Sequence, residues 1–301
     1  MIIKLRSESK ELRVLRCLNA RLNLSEKDKQ NYYYAEKGIE GERKLDDLIE
    51  NVSRECLIIS DLLLECNNTF FQIDTVLIHP ETIFLLEVKN YQGIYYIEEN
   101  RWYKENGKEI KNPLLQLSRC EVLFRQWLQQ HKFNFNIQPL IVFIHPEFTL
   151  FNASRELPIV LPTQINNFLK KLNNSTPKLM KKHERLSELL LADHQEESPY
   201  SRLPDYHYDK LQKGVICQKC YTFMNYFNKV KLICPNCGSS EKIEESIVRS
   251  VEEYKLLFPE RKITVSGIRD WCLVVESDKI IRRILQGNFK LVGKNRYTHY
   301  I

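Results

Sequence analysis

Long apolar runs are missing from this sequence: none exceeds five residues, the stretch LIVFI at 140–144 being one. A membrane-spanning helix needs roughly 20 such residues, so none is expected. Met1-Ile2-Ile3 is followed at once by Lys4 and Arg6, so no secretory signal is expected. Internal repeats and low-complexity tracts are also absent. The seven histidines show no ligand spacing, so none is assigned a catalytic role. Neither C-x-x-C pair is followed by histidine, which excludes attached haem. A chain of this kind is expected in the reducing cytoplasm, where cysteines bind metal or pack as small hydrophobes rather than pair as disulfides.

What is present is an ordinary globular composition, 43% hydrophobic and 28% charged over 301 residues, long enough for two or three domains. The net charge of +6 is unevenly placed: residues 207–301 hold 17 Lys and Arg against 10 Asp and Glu. A basic C-terminal third suits a polyanion, and equally a merely well-solvated surface.

The pattern predicts an N-terminal helix over 7–24 within a segment 1–34, then a second helix beginning near Gly38 with Leu45, Leu48, Ile49 and Val52 on one face. Strands are expected at 56–60, 70–78 and 83–90, with hairpin strands near 94–97 and 101–104. Asn112-Pro113 is a cap followed by a first-turn proline, opening a long helix to about Gln130. Strands at 139–144 and 158–161 and a helix at 163–172 complete an α/β domain over 35–172 with a mixed sheet. Residues 173–212 read as a polar linker with some local helix.

Three charges interrupt the apolar strands QIDTVLI and FLLEVKN. If His79-Pro80-Glu81-Thr82 makes the turn, residues summing to 161 pair, and Asp74 faces Glu87 with Lys89 on the same face. Val76, Ile78, Ile83 and Leu85 share that face, whereas Ile73, Leu77, Phe84, Leu86 and Val88 cover the other. Two opposed carboxylates in covered strands cost several kcal/mol unless something compensates them. A divalent cation between them does so, and oxygen ligands suit Mg²⁺ or Mn²⁺. Lys89 would then orient or help deprotonate the attacking water and offset charge on a phosphoryl group. The alternative places Asp74 at the sheet rim, with Glu87 and Lys89 as a solvated pair. Glu42 and Gln116 also face inward from their helices, as a further metal ligand and a water- or phosphate-positioning group, or as a helix-terminal carboxylate and a satisfied amide.

Gly38-x-x-Gly41-Glu42, Gln72-Ile73-Asp74, Glu87-Val88-Lys89-Asn90 with Gly93, and Asn112-Pro113-x-x-Gln116 together resemble the nuclease-related domain (NERD) family, a branch of the PD-(D/E)xK nuclease superfamily. The resemblance implies a restriction-endonuclease-like mixed sheet flanked by helices. It also implies that Asp74 and Glu87 bind the metal while Lys89 serves the water. Ile73 stands where the superfamily has proline.

Cys217-x-x-Cys220 and Cys234-x-x-Cys237 offer two paired thiolates that can close a tetrahedron around a structural Zn²⁺, so 213–242 is expected to be a zinc ribbon. Its Tyr221, Phe223, Tyr226 and Phe227 would form a small core, or alternatively a base-stacking platform. Cys17, Cys56, Cys66, Cys120 and Cys272 are expected to be buried. Over 243–301, a helix capped by Ser277 presents Ile280, Ile281, Ile284 and Leu285 inward, ends at Gly287, and carries Lys279, Arg282 and Arg283 outside. With a partner helix around Trp271 and a basic hairpin bearing Lys294 and Arg296, it resembles a winged helix-turn-helix reading DNA, or alternatively a protein-binding winged-helix module with an incidental basic face. Two functions are therefore expected: an Mg²⁺-dependent DNA nuclease, or a DNA-binding or regulatory protein using a nuclease-like fold as a binding surface.

Overall fold

A computed structural model describes residues 1–50, 56–173, 178–200, 203–293 and 298–301. The chain divides into two compact units, one built from 1–8 and 34–200, the other from 9–33 and 201–301.

The first strand, β1 (Ile2–Lys4), is followed by α1 (Lys10–Arg21) and α2 (Glu26–Ile49), the latter beginning twelve residues before Gly38. Next come β2 (Leu57–Cys66), β3 (Thr69–Ile78), β4 (Ile83–Lys89), β5 (Gly93–Glu98), β6 (Arg101–Lys104) and β7 (Glu109–Ile110). Helix α3 (Pro113–Gln130) starts where the sequence predicts, with the Asn112 side chain accepting from Leu114 N at 2.9 Å and proline in the first turn. Then follow β8 (Ile137–Phe143), β9 (Phe148–Phe151), β10 (Ile159–Val160), α4 (Ile165–Asn173) and α5 (Lys181–Ala192).

The central sheet runs β1-β2-β3-β4-β8-β10. Its β2-β3-β4 part is antiparallel, whereas β1 joins β2, β8 joins β4 and β10 joins β8 in parallel. This is the mixed α/β architecture expected. Both faces are covered, which is why these strands are apolar on both sides. Cys120, Phe124 and Trp127 of α3 with Leu186 and Leu190 of α5 pack on one face. Leu45 and Ile49 of α2 with Ile165 and Leu172 of α4 pack on the other. A second sheet, β7-β6-β5-β9, buries Tyr95, Trp102 and Phe148 beside Phe143 of β8.

The structure departs from the expected linker at 173–212: Leu186 and Leu190 are fully buried, so α5 belongs to the sheet core. Strand parity is the second departure. Ile73 packs with Val76 and Ile78 rather than with Leu77, because both β2 and β3 change faces where Asp61 adopts a left-handed φ of 54°. Strict alternation cannot anticipate such a break.

In the other unit, β11 (Asn225–Tyr226), β12 (Lys231–Ile233) and β13 (Ser240–Lys242) form an antiparallel sheet. They precede α6 (Ile243–Leu257), α7 (Val265–Cys272), α8 (Asp278–Asn288) and the hairpin β14 (Leu291–Val292) with β15 (His299–Tyr300). Ile263 bridges Tyr300 and so adds to that hairpin. Val14 and Leu18 of α1 lie in one core with Ile247, Val251, Trp271 and Ile284, so the N-terminal helix packs here rather than standing alone. Arg21 is sealed into that core by Glu253 at 2.8 Å and by stacking 4.0 Å above the Trp271 ring.

Candidate functional site

The β3–β4 ladder pairs Thr75 with Leu86 through Ile78 with Ile83, the register predicted from the turn. It stops one pair short of Asp74 and Glu87. The Val88 N–H, instead of joining the ladder, donates to Asp74 Oδ2 at 2.7 Å. The strands therefore part where the two carboxylates sit, and Asp74 is held against the β4 backbone rather than squarely opposite Glu87.

On β4, Glu87 Oε1 accepts from Lys89 Nζ at 2.6 Å and from Gln116 Nε2 at 2.7 Å, and Lys89 Nζ also donates to Gln116 Oε1 at 3.3 Å. Gln116, in the first turn of α3, thus reaches the pair as expected. Glu87 is buried, its side chain 5% exposed, and Lys89 is 16% exposed. These two are not a solvated pair. Among the described residues, neither Asp74 Oδ1 nor Glu87 Oε2 has a hydrogen-bond partner.

Glu42 arrives from α2. That helix lies close against the end of β4: a Cβ on Gly41 would stand 2.6 Å from Asn90 Cβ, so only glycine fits. The Asn90 amide then donates to the Lys37 carbonyl at 2.9 Å, fastening helix to strand. This joint accounts for both the glycine and the asparagine of the sequence motifs.

Sequence reasoning missed Arg6. Just beyond β1, its guanidinium donates to Glu42 Oε2 at 2.7 Å, to both oxygens of Asp46 at 2.8 and 3.1 Å, to the Asp74 carbonyl at 2.9 Å and to Thr75 Oγ1 at 3.1 Å. Its side chain is only 4% exposed. A lone arginine near a chain end carries no local signal for such a role.

Burial, and then repulsion from Asp74, push both Glu42 and Glu87 up to about 7. Burial raises Asp74 as well, against the Val88 N–H and the Lys89 and Arg6 charges that favour its ionised form. Burial alone would depress Lys89, but Glu87 and Asp74 outweigh it and hold the ammonium above its ordinary value. These carboxylates lack a sufficient positive counter-charge, and their unbonded oxygens are hard donors. The set fits a hard divalent cation such as Mg²⁺ or Mn²⁺.

The second candidate centre is built on two turns of the same form. In each, the N–H of the first cysteine bonds the carbonyl five residues on: Cys217 N to Thr222 O and Cys234 N to Ser239 O, both 2.8 Å. The residue after the second cysteine is left-handed, Tyr221 at φ 58° and Gly238 at φ 70°. All four sulfurs lie within 4.8 Å of one another. Hydrogen bonds from Thr222 lower the Cys220 thiol to about 5, favouring the thiolate a metal needs. Four sulfur donors closed on one point fit Zn²⁺, as a ribbon requires.

The aromatic residues of this module divide. Tyr226 is 54% and Phe227 63% exposed, so they are not the small core expected; Leu232 and Met224 fill that place. On α8, Ile281, Ile284 and Leu285 are buried as predicted, but Ile280 is 38% exposed, and Gly287 lies inside the helix, which is capped at Phe289. Lys279, Arg282 and Arg283 are exposed and make no ion pair among the described residues. Lys294 and Arg296 lie outside the described residues. Of the five remaining cysteines, four are buried and Cys17 is half-buried. Among the described residues no helix is long and apolar enough to cross a membrane.

The fold and the first centre define a mixed α/β domain with a carboxylate–lysine cluster at the parting of two central strands. Residues 37–144 match the nuclease-related domain family (NERD). The matched span includes Glu42, Asp74, Glu87, Lys89 and Gln116 and excludes Arg6. No curated protein and no solved structure matches the chain.

Proposed function

We propose that this protein is a metal-dependent DNA nuclease that hydrolyses phosphodiester bonds, with Asp74 and Glu87 as the metal ligands. The observation that carries this reading is that each carboxylate, Glu87 buried and Asp74 half-buried, has one oxygen fixed by hydrogen bonds and the other unbonded, in a place short of positive charge. A hard divalent cation held there would polarise a phosphoryl oxygen and acidify a water. Water adds to phosphorus, the bond to one sugar oxygen breaks, and a phosphate monoester and a hydroxyl result. Lys89 remains an ammonium at neutral pH, so its work is to orient the water and neutralise charge growing on the phosphoryl oxygens rather than to accept a proton. Gln116 locks Glu87 Oε1 and shares the Lys89 ammonium, which fixes where both point.

In the other unit, the four cysteines would hold structural Zn²⁺. The order α6, the Ile263 bridge, α7, α8 and the β14–β15 hairpin supports a winged-helix-like DNA reader. Lys279, Arg282 and Arg283 would meet phosphates from its third helix. The test is single-turnover cleavage of labelled linear DNA in Mg²⁺ or Mn²⁺. Asp74→Ala should lose cleavage while keeping DNA affinity; cleavage at the wild-type rate would remove Asp74 from the site.

A further inference from the structure

We infer that Arg6 is a positioning residue that holds Glu42 and Asp46 as its own partners, and so limits the acidic pocket to one divalent cation, carried by Asp74 and Glu87. The inference rests on the metal-site reading above and goes beyond it, because Arg6 lies outside the matched family span, which begins at residue 37.

Five carboxylates, those of Glu42, Asp46, Asp61, Asp74 and Glu87, lie with three cationic side chains, Lys4, Arg6 and Lys89, and Lys4 answers Asp61. Lys89 is committed to Glu87. Arg6 is committed to Glu42 and Asp46 through its Nε, Nη1 and Nη2 atoms, and its Nη2 also reaches the Asp74 carbonyl and Thr75. The planar fork takes Asp46 in a bidentate grip that a lysine ammonium cannot reproduce. Asp46 is further occupied by the Ser60 hydroxyl at 3.2 Å. With these bonds made, the pocket retains two unsatisfied anionic charges, which one divalent ion balances. Without the guanidinium, Glu42 and Asp46 become a second pair of hard donors beside the first. A guanidinium 4% exposed does not leave such a network without exposing or stranding its partners. Arg6 therefore acts as a built-in counter-ion where a second metal would sit.

The experiment counts Mn²⁺ bound by the zinc-loaded full-length chain, from the electron paramagnetic resonance signal of the free ion, with circular dichroism as the check on folding. Wild type should bind one Mn²⁺, lost in Glu87→Ala. Arg6→Gln should bind two, and Arg6→Gln combined with Glu42→Gln should return to one. A folded Arg6→Gln protein that still binds one overturns the inference. If Arg6→Gln fails to fold, Glu42→Gln and Asp46→Asn in the wild-type background decide: a change in Mn²⁺ affinity below about fivefold supports it, since neither acid is a ligand while Arg6 holds it, and a larger loss overturns it. Wild type binding no Mn²⁺ would instead remove the metal-site reading on which the inference stands.

Discussion

The two candidate metal centres solve the same problem by opposite means. The cysteine centre is local: two turns of one form, each closed by its own backbone hydrogen bonds, gather four sulfurs within a short stretch of chain. The carboxylate centre is assembled from afar, with Arg6 beyond β1, Glu42 on α2, Asp74 on β3, Glu87 and Lys89 on β4, and Gln116 on α3. A closed shell of soft donors suits a structural ion. Charges held apart on rigid elements, with oxygens left unbonded, suit chemistry on a passing substrate.

The sharpest way to break this contrast is Cys234→Ser. Structural zinc contributes roughly 10–16 kcal/mol in small modules, so the variant should lose its zinc by elemental analysis and lose the cooperative melt of the second unit. A zinc-free wild type with an unchanged melt would end the structural role. Next in size is Leu186→Ala, expected to lower unfolding free energy by about 2–5 kcal/mol in denaturant titration, because α5 is core and not linker. A value near zero would return α5 to the linker.

The pH dependence sharpens the same comparison. Glu42 and Glu87 are raised from 4.5 to about 7, so the metal-free folded chain holds protons that the unfolded chain has released. Their contribution to its stability should be fully present below about pH 4.5 and be lost as pH rises toward about 7, while Mg²⁺ affinity climbs over the same window. Glu87→Gln should flatten both slopes, read by thermal melts and metal titration. The smallest effect is electrostatic: replacing Lys279, Arg282 and Arg283 by glutamine should reduce the slope of log K against log salt by roughly 0.9 for each phosphate no longer neutralised, measured by fluorescence anisotropy. An unchanged slope would mean that α8 meets something other than DNA.

Much of this was legible in the sequence because it is local. The Asn112-Pro113 start of α3, the β3–β4 register and the cysteine spacing each follow from a few neighbouring residues. Arg6 was not legible, since its value depends on β1 adding in parallel to β2 and carrying it to α2. The burial of α1 with α6 and of α5 against the sheet escaped for the same reason: amphipathic helices do not name their partners. The change of face at Asp61 escaped because a left-handed aspartate breaks the alternation on which strand reading depends. The two compact units also interleave in sequence, so a fragment ending at Leu172 would lack α5 and leave part of the sheet core uncovered. Tests of the carboxylate site belong on the full chain.

The central claim is that Asp74 and Glu87 hold the metal that cleaves DNA. It is tested most directly by the rate of plasmid nicking by purified wild type and Glu87→Ala, with and without Mg²⁺, at DNA concentrations that saturate both. Wild type should nick only when Mg²⁺ is present, and Glu87→Ala should be slower by about 10²–10³-fold at equal DNA occupancy. Equal rates for the two proteins, or nicking by wild type that persists in a metal chelator, would contradict the account.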